Sequence, residues 1–245
     1  MEAGQYGKKK FEYKMKENIA IIPARGGSKR IPKKNIIDFN GKPMIAWTIK
    51  AALETGIFSK VLVSTDSEEI ASHSRDFGAE VPFLREQFYD DITPVSNATC
   101  DALIKAQEYW GIEFNTVTQL MANCPLRNAE HISSFYNNFQ DYEVDFLLSC
   151  FKFGWMNPWW AFRKNDNNSH SFLFADAIKE RSQDLDELFC PTGSIWMAKA
   201  QALIKSKSFY GPGQVFEEID WVAAVDIDDF NDLNMAKSLS QTSLN

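Results

Sequence analysis

Short unbroken apolar runs alternate along this chain with stretches in which apolar residues recur every three or four positions. The first run is Ile19, Ala20, Ile21 and Ile22, closed by Pro23. A run without helical spacing predicts a strand buried on both faces, as in a parallel sheet. After a turn at Gly41-Lys42-Pro43, with Pro43 suited to a first helical position, Ile45, Ile49, Ala52 and Leu53 repeat at helical spacing up to a stop at Gly56. The same reading predicts a strand over 60–65, a helix ending at Gly78, a strand over 79–84 leading to Arg85, and a helix from about 96 to 110. A strand over 115–122, a helix over 129–140 and a strand over 145–152 follow. Strands alternating with helices predict an α/β fold, a mostly parallel sheet flanked by helices.

The texture changes after residue 150. Phe151, Phe153, Trp155, Trp159, Trp160 and Phe162 crowd into a loop-like excursion that also holds Gly154 and Pro158, before a polar run over 164–170. Aromatic side chains at this density need burial. Packing against a second copy of the chain provides it and predicts a homodimer; a local mini-core is the alternative. Residues 1–17, polar and basic, read as a flexible N-terminal tail, and residues 18–245 as a single domain.

Composition narrows the function. The net charge of −7 argues against a nucleic-acid partner. No run of about 18 apolar residues supports a membrane span, and no secretory leader is evident, so a cytoplasmic protein is expected. Cys100, Cys124, Cys150 and Cys190 are scattered, without a CxxC pair or nearby histidine, and read as reduced and structural.

Against that acidic background the loop after the first strand is basic. Arg25, Lys29, Arg30, Lys33 and Lys34 surround Gly26-Gly27-Ser28, and the loop lies where open α/β sheets bind ligands, at a strand's carboxyl end. It looks built for a polyphosphate, with glycines that let backbone N–H groups approach closely. Neither GxxxxGK(S/T) nor GxGxxG can be written onto it. Near the other end, alternation puts Asp226 and Asp228 on one face, where paired carboxylates suit Mg²⁺ shared with phosphate oxygens. Asp229 and Asp232 read instead as acids at a helix N-terminus. Asp66, three residues before Glu69, reads first as a helix cap and second as a ligand contact.

Pro23-Ala24-Arg25-Gly26-Gly27-Ser28-Lys29 with Lys34-Asn35 resembles the N-terminal signature of the acylneuraminate (CMP-sialic acid synthetase) cytidylyltransferases, and Arg30-Ile31-Pro32 is most like the branch that activates pseudaminic acid. The resemblance runs from about residue 19 to the C-terminal helix. It implies a Rossmann-like, glycosyltransferase-A-like nucleotidyltransferase fold, with residues 151–190 as a dimerisation and sugar-site excursion. It further implies nucleotide binding by Ala24, Arg25, Gly26, Gly27, Ser28, Lys29, Lys34, Asn35, Arg85 and Ser96, and sugar binding by Gln119, Asn123, Thr192 and Gly193. Mg²⁺ would sit on Asp226 and Asp228, and Arg25, Lys34 and Asp228 would be catalytic. Residues 119–127, QLMANCPLR, stand in the place of the family's QxTSPLR segment, with Asn123-Cys124 replacing a hydroxyl pair.

The expected reaction joins CTP to a nine-carbon sugar acid, releasing pyrophosphate. Pseudaminic acid is the first candidate, with legionaminic and N-acetylneuraminic acid as alternatives. A glycosyltransferase gripping a nucleotide sugar through its DxD sequence would not need the triphosphate cradle, and a non-catalytic nucleotide-binding module would not need the full set of cations and carboxylates.

Overall fold

A computed structural model describes residues 17–90 and 92–242. The expected tail falls outside the described residues except for Glu17, whose carbonyl accepts from Asn115 N–H at 2.7 Å. Among the described residues the elements run β1 (Asn18–Pro23), β2 (Asp38–Phe39), β3 (Lys42–Pro43), α1 (Met44–Glu54), β4 (Lys60–Ser64), α2 (Glu68–Asp76), α3 (Val95–Trp110), β5 (Thr116–Gln119), α4 (Ala129–Asp141) and β6 (Phe146–Lys152). There follow β7 (Phe162–Lys164), β8 (His170–Phe172), β9 (Phe189–Lys199), α5 (Ala200–Ser206), β10 (Val215–Glu218) and α6 (Phe230–Thr242), with short 3-10 turns between.

Six strands form one sheet in the order β10-β6-β9-β5-β1-β4. Only β9 runs antiparallel to its neighbours, β5 and β6; the other pairings are parallel. The central position of β1 explains its unbroken apolar run. Ala20 and Ile22 pack with α1, α2 and α4, while Ile19 and Ile21 pack with α3 and α5. Each isoleucine so buried contributes about 2 kcal/mol of hydrophobic stabilisation. A third apolar cluster of Ile31, Phe39, Met44, Val225, Ile227, Leu233 and Ala236 ties the basic loop and the β2–β3 hairpin to α6. It packs early loop and hairpin residues against the C-terminal helix.

The strand expected over 79–84 is a single bridge, Leu62 to Glu80. Glu80 exchanges backbone bonds with Val61 and Val63, and Pro82, without an N–H, then prevents a longer ladder. Pro43 sits one residue before α1 as its N-cap, because it also pairs with Asp38 across the small hairpin. The aromatic excursion contains the β7–β8 hairpin, with Trp159 stacked edge-on against Phe174 at 4.9 Å. Trp155 is nevertheless 86% exposed and Phe162 57% exposed. Among the described residues no helix is long and apolar enough to cross a membrane.

Candidate active site

A cleft of about 530 Å³ opens at the carboxyl ends of β1 and β5. Its walls include Arg25, Ser28, Lys29, Arg30, Lys34, Asn35 and Arg85 from the first third of the chain, and Asp226 and Asp228 from near its other end. Phe88, Asp90, Thr93, Val95 and Ala98 form one side, and Met121, Ala122 and Asn123 part of another. Five cationic side chains therefore face a cavity in which only three carboxylates stand, a field suited to a polyphosphate anion.

Several of the loop's own groups serve its shape. Gly26 N–H donates to Asp66 Oδ1 at 2.8 Å, Ala24 N–H to the Ser64 carbonyl at 2.9 Å, and Asn35 Nδ2 to the Arg25 carbonyl at 2.9 Å. A Cβ at position 26 would lie 3.1 Å from Ser67 Cβ, so the glycine there allows the loop to pack on the start of α2. The backbone N–H groups of Ala24 and Gly26 are thus spent on the loop's own shape, and neither residue nor Gly27 lines the cleft.

Asp66 is likewise not the α2 cap. Ser67 is the N-cap residue and accepts from Ile70 N–H. Asp66 instead bridges Gly26 and the nearly buried Arg85, 3.8 Å away. Burial pulls the Arg85 pKa below its ordinary value, opposed by the nearby Asp66 charge. Arg85 Nε has no partner among the described residues and the side chain lines the cleft, so its donor capacity is not exhausted.

At the opposite wall Lys34 Nζ reaches Asp228 Oδ1 at 2.9 Å and the Ile227 carbonyl at 2.9 Å, while Arg30 reaches Asp228 Oδ2 at 2.7 Å. Burial raises the Asp228 pKa, but its bonds to Lys34 and Arg30 outweigh that and hold the carboxyl below its ordinary value. Asp226 opens to solvent on one side. Desolvation by the surrounding walls, joined by repulsion from Asp228, pushes its carboxyl up to about 6. The two carboxylates are thus electrostatically unlike. Their segment belongs to no helix or strand. Asp229 and Asp232 cap α6 as expected: Asp232 Oδ2 accepts from Asp228 and Asp229 N–H, and Asp229 Oδ1 from Asn231 and Asp232 N–H.

Four other expected contacts lie elsewhere. The Ser96 hydroxyl accepts from Phe209 N–H at 3.4 Å, because the apolar packing of α3 on the sheet turns it inward. Gln119 is fully buried, its Oε1 accepting from Thr99 at 2.6 Å. Thr192 Oγ1 donates to the Ala224 carbonyl at 3.1 Å, and Gly193 packs under Met121, where a Cβ would stand 2.9 Å from Met121 Cγ. Asn123 does line the cleft, with its amide donating to Asp226 Oδ1 and to the Ile227 carbonyl.

The motif itself places another residue at the cleft. In QxTSPLR the glutamine stands four residues before the proline, and counting back four from Pro125 gives Met121. Met121 lines the cleft. Phe88, Asp90 and Thr93 were not anticipated, since they lie in a loop without periodic pattern. There Asp90 accepts from Ile92 N–H, Thr93 N–H and the Thr93 hydroxyl, and bonding to Thr93 and Ile92 draws its carboxyl down to about 2.

Among the described residues no three His, Cys, Asp or Glu side chains gather into a protein-only metal cage. Asp226 and Asp228 offer hard oxygen donors at a cleft suited to phosphate, the donor set that Mg²⁺ completes with phosphate and water. The thiol beside this pair, Cys124, is fully buried, and burial pushes its pKa far up. It is neither a nucleophile nor a thiolate ligand.

The cytidylyltransferase family profile matches residues 19–217. A pseudaminic acid cytidylyltransferase of Campylobacter jejuni is 34% identical over 223 residues, covering 91% of this chain and 96% of that protein. A CMP-N,N'-diacetyllegionaminic acid synthase of Legionella pneumophila is 35% identical over 201 residues, covering 78% of this chain and 82% of that one. A solved CMP:2-keto-3-deoxy-manno-octonic acid synthetase, determined in complex with CTP, superimposes with a TM-score of 0.67 over 93% of this chain and 99% of its own, at 17% identity, a likeness of fold.

Proposed function

The chain belongs to the cytidylyltransferase family, and we propose that within it the enzyme activates a nonulosonic acid, converting CTP and the sugar acid to the CMP-sugar and pyrophosphate. Pseudaminic acid is the acceptor we favour, because the relative that acts on it aligns over 91% of this chain. Legionaminic acid is the alternative, supported by a relative of similar identity over a shorter span. The observation that carries the reading is the convergence of Arg25, Lys29, Arg30, Lys34 and Arg85 with Asp226 and Asp228 on one cleft.

In this reading the triphosphate lies along Arg25, Ser28, Lys29 and Lys34, with Arg85 on the far side. The anomeric hydroxyl attacks the α-phosphorus in line and loses its proton to solvent; the bond from that phosphorus to the bridging oxygen breaks, and pyrophosphate leaves with the electron pair. Lys34 and Arg30, already set against Asp228, steady the charge that develops on the phosphate oxygens. Asp226, titrating near 6, is ionised at neutral pH. A divalent cation, Mg²⁺ by the hard donor set, fits Asp226 and Asp228 and would supply charge neutralisation when bound. Most of the rate enhancement comes from positioning and fixed charge.

We propose further that the enzyme works as a homodimer joined through the aromatic excursion, whose exposed Trp155 and Phe162 need a covering surface. A cytoplasmic location follows from the use of CTP. Pyrophosphate release with CTP and Mg²⁺, run against pseudaminic, legionaminic and N-acetylneuraminic acid, tests the function. Turnover with pseudaminic acid alone is expected. Turnover with another acid reassigns the acceptor, and silence on every acid despite CTP binding favours a non-catalytic nucleotide module.

A further inference from the structure

The segment carrying Asp226 and Asp228 has no strand ladder, yet it holds both carboxylates in the cleft. Side chains from distant elements suspend it. Thr192 Oγ1 donates to the Ala224 carbonyl at 3.1 Å and Ser194 Oγ to the Ala223 carbonyl at 3.0 Å. Asn123 grips it most closely. Its backbone carbonyl accepts from Ile227 N–H at 2.9 Å, its Nδ2 donates back to the Ile227 carbonyl at 3.2 Å, and the same Nδ2 donates to Asp226 Oδ1.

The base of this grip is firm. Arg127, 2% exposed, donates from Nη1 to the Ser194 carbonyl and from Nη2 to Thr48 Oγ1 at 2.8 Å, and Thr48 in turn bonds the Met121 carbonyl. The turn from 121 to 127 is therefore bolted to α1 at both ends and to β9 at its Arg127 end.

We infer that Asn123 is the positioning residue of Asp226, fixing that carboxylate and the backbone between the two acids, and is not a ligand of the sugar acid. The inference rests on the reading of Asp226 and Asp228 as the divalent-cation pair. A carboxamide nitrogen carries two hydrogens, one for each of these acceptors. A serine or threonine hydroxyl has one hydrogen and serves only one of them; an aspartate has none when ionised and repels Asp226. With Oδ1 engaged by Asn123, Asp226 is left with Oδ2 for a cation, and outer partners of this kind commonly change metal affinity 10–100-fold.

Asn123→Ala and Asn123→Leu test this, the second keeping the side chain's size and neutrality while removing both donated bonds. The readouts are Mn²⁺ affinity by electron paramagnetic resonance with CTP present, CTP affinity by calorimetry without metal, thermal midpoint, and amide exchange of residues 223–229 in metal-free protein. Both variants are expected to bind Mn²⁺ about tenfold or more weakly, to exchange faster over 223–229, and to keep wild-type CTP affinity without metal. Exchange over 223–229 equal to wild type, or unchanged Mn²⁺ affinity, overturns the inference. So does a matching loss of metal-free CTP affinity, which would make Asn123 a nucleotide ligand. If the wild-type protein takes up no Mn²⁺ while both variants still exchange faster, the cation reading fails and the positioning role stands.

Discussion

Lys34 Nζ lies 2.9 Å from Asp228 Oδ1, joining a residue of the basic loop to one of the paired carboxylates. The ammonium also bonds the Ile227 carbonyl, so it organises both sides of the cleft at once. Lys34→Met is expected to lower kcat/KM for CTP by about 10²–10³, as for loss of a preorganised charge at a reacting centre. Steady-state pyrophosphate release checks this; a loss under threefold places the triphosphate away from Lys34.

Asp226 makes the site sensitive to acid. Its carboxyl, near 6 when folded against an ordinary 3.8, takes up a proton where the proposed cation would bind, so proton and cation exclude one another. Mn²⁺ affinity is expected to be flat above pH 6 and to fall about tenfold per unit below it. The same shift has a stability consequence of definite sign: a carboxyl with a raised folded pKa contributes stability that is full below about 4 and lost as pH rises through 6. Asp226→Asn should therefore raise the thermal midpoint at pH 8 and leave it nearly unchanged at pH 4, and melting at both values measures it.

The bond from Gly26 N–H to Asp66 holds the glycine-rich turn in place, with Arg85 behind it. Asp66→Ala removes the acceptor and the counter-charge together. It is expected to raise KM for CTP about tenfold and to cost about 1–3 kcal/mol of stability, the range for stranding buried donors. Asp66→Asn keeps an acceptor and should fall between that variant and wild type. Equal kinetics for all three would show that the loop holds its shape without Asp66.

Trp155 and Phe162 stand largely exposed on the excursion after β6. Replacing both by glutamate is expected to convert a dimer to a monomer in sedimentation velocity, without loss of the helical circular dichroism signal. A monomeric wild-type chain would remove this interface.

Much of this architecture can be read from the residues. β1 is legible because both faces are buried, which leaves an unbroken apolar run, and the cations beyond it advertise an anion site. Alternation puts Asp226 and Asp228 on one face, although no ladder holds them; side-chain bonds to the backbone, which leave no periodic trace, hold the segment in place. The 79–84 strand failed because one proline outweighs four apolar neighbours. Gln119 heads the motif only when the count starts from a glutamine; counted from Pro125, the register points to Met121. Asp66 was read locally, as a cap, while its partners are 40 residues upstream and 19 downstream in the chain.

The Lys34–Asp228 pair also bears on how the protein is made. Its members are 194 residues apart, with most of the sheet between them, and contacts of that separation close late because the intervening chain must first be ordered. During synthesis the basic loop and β1 emerge long before either acid exists, so a nascent chain can gather cations but not the pair that opposes them. Nucleotide binding thereby becomes a property of the finished fold, and CTP a ligand that rewards completion of the sheet without templating its start.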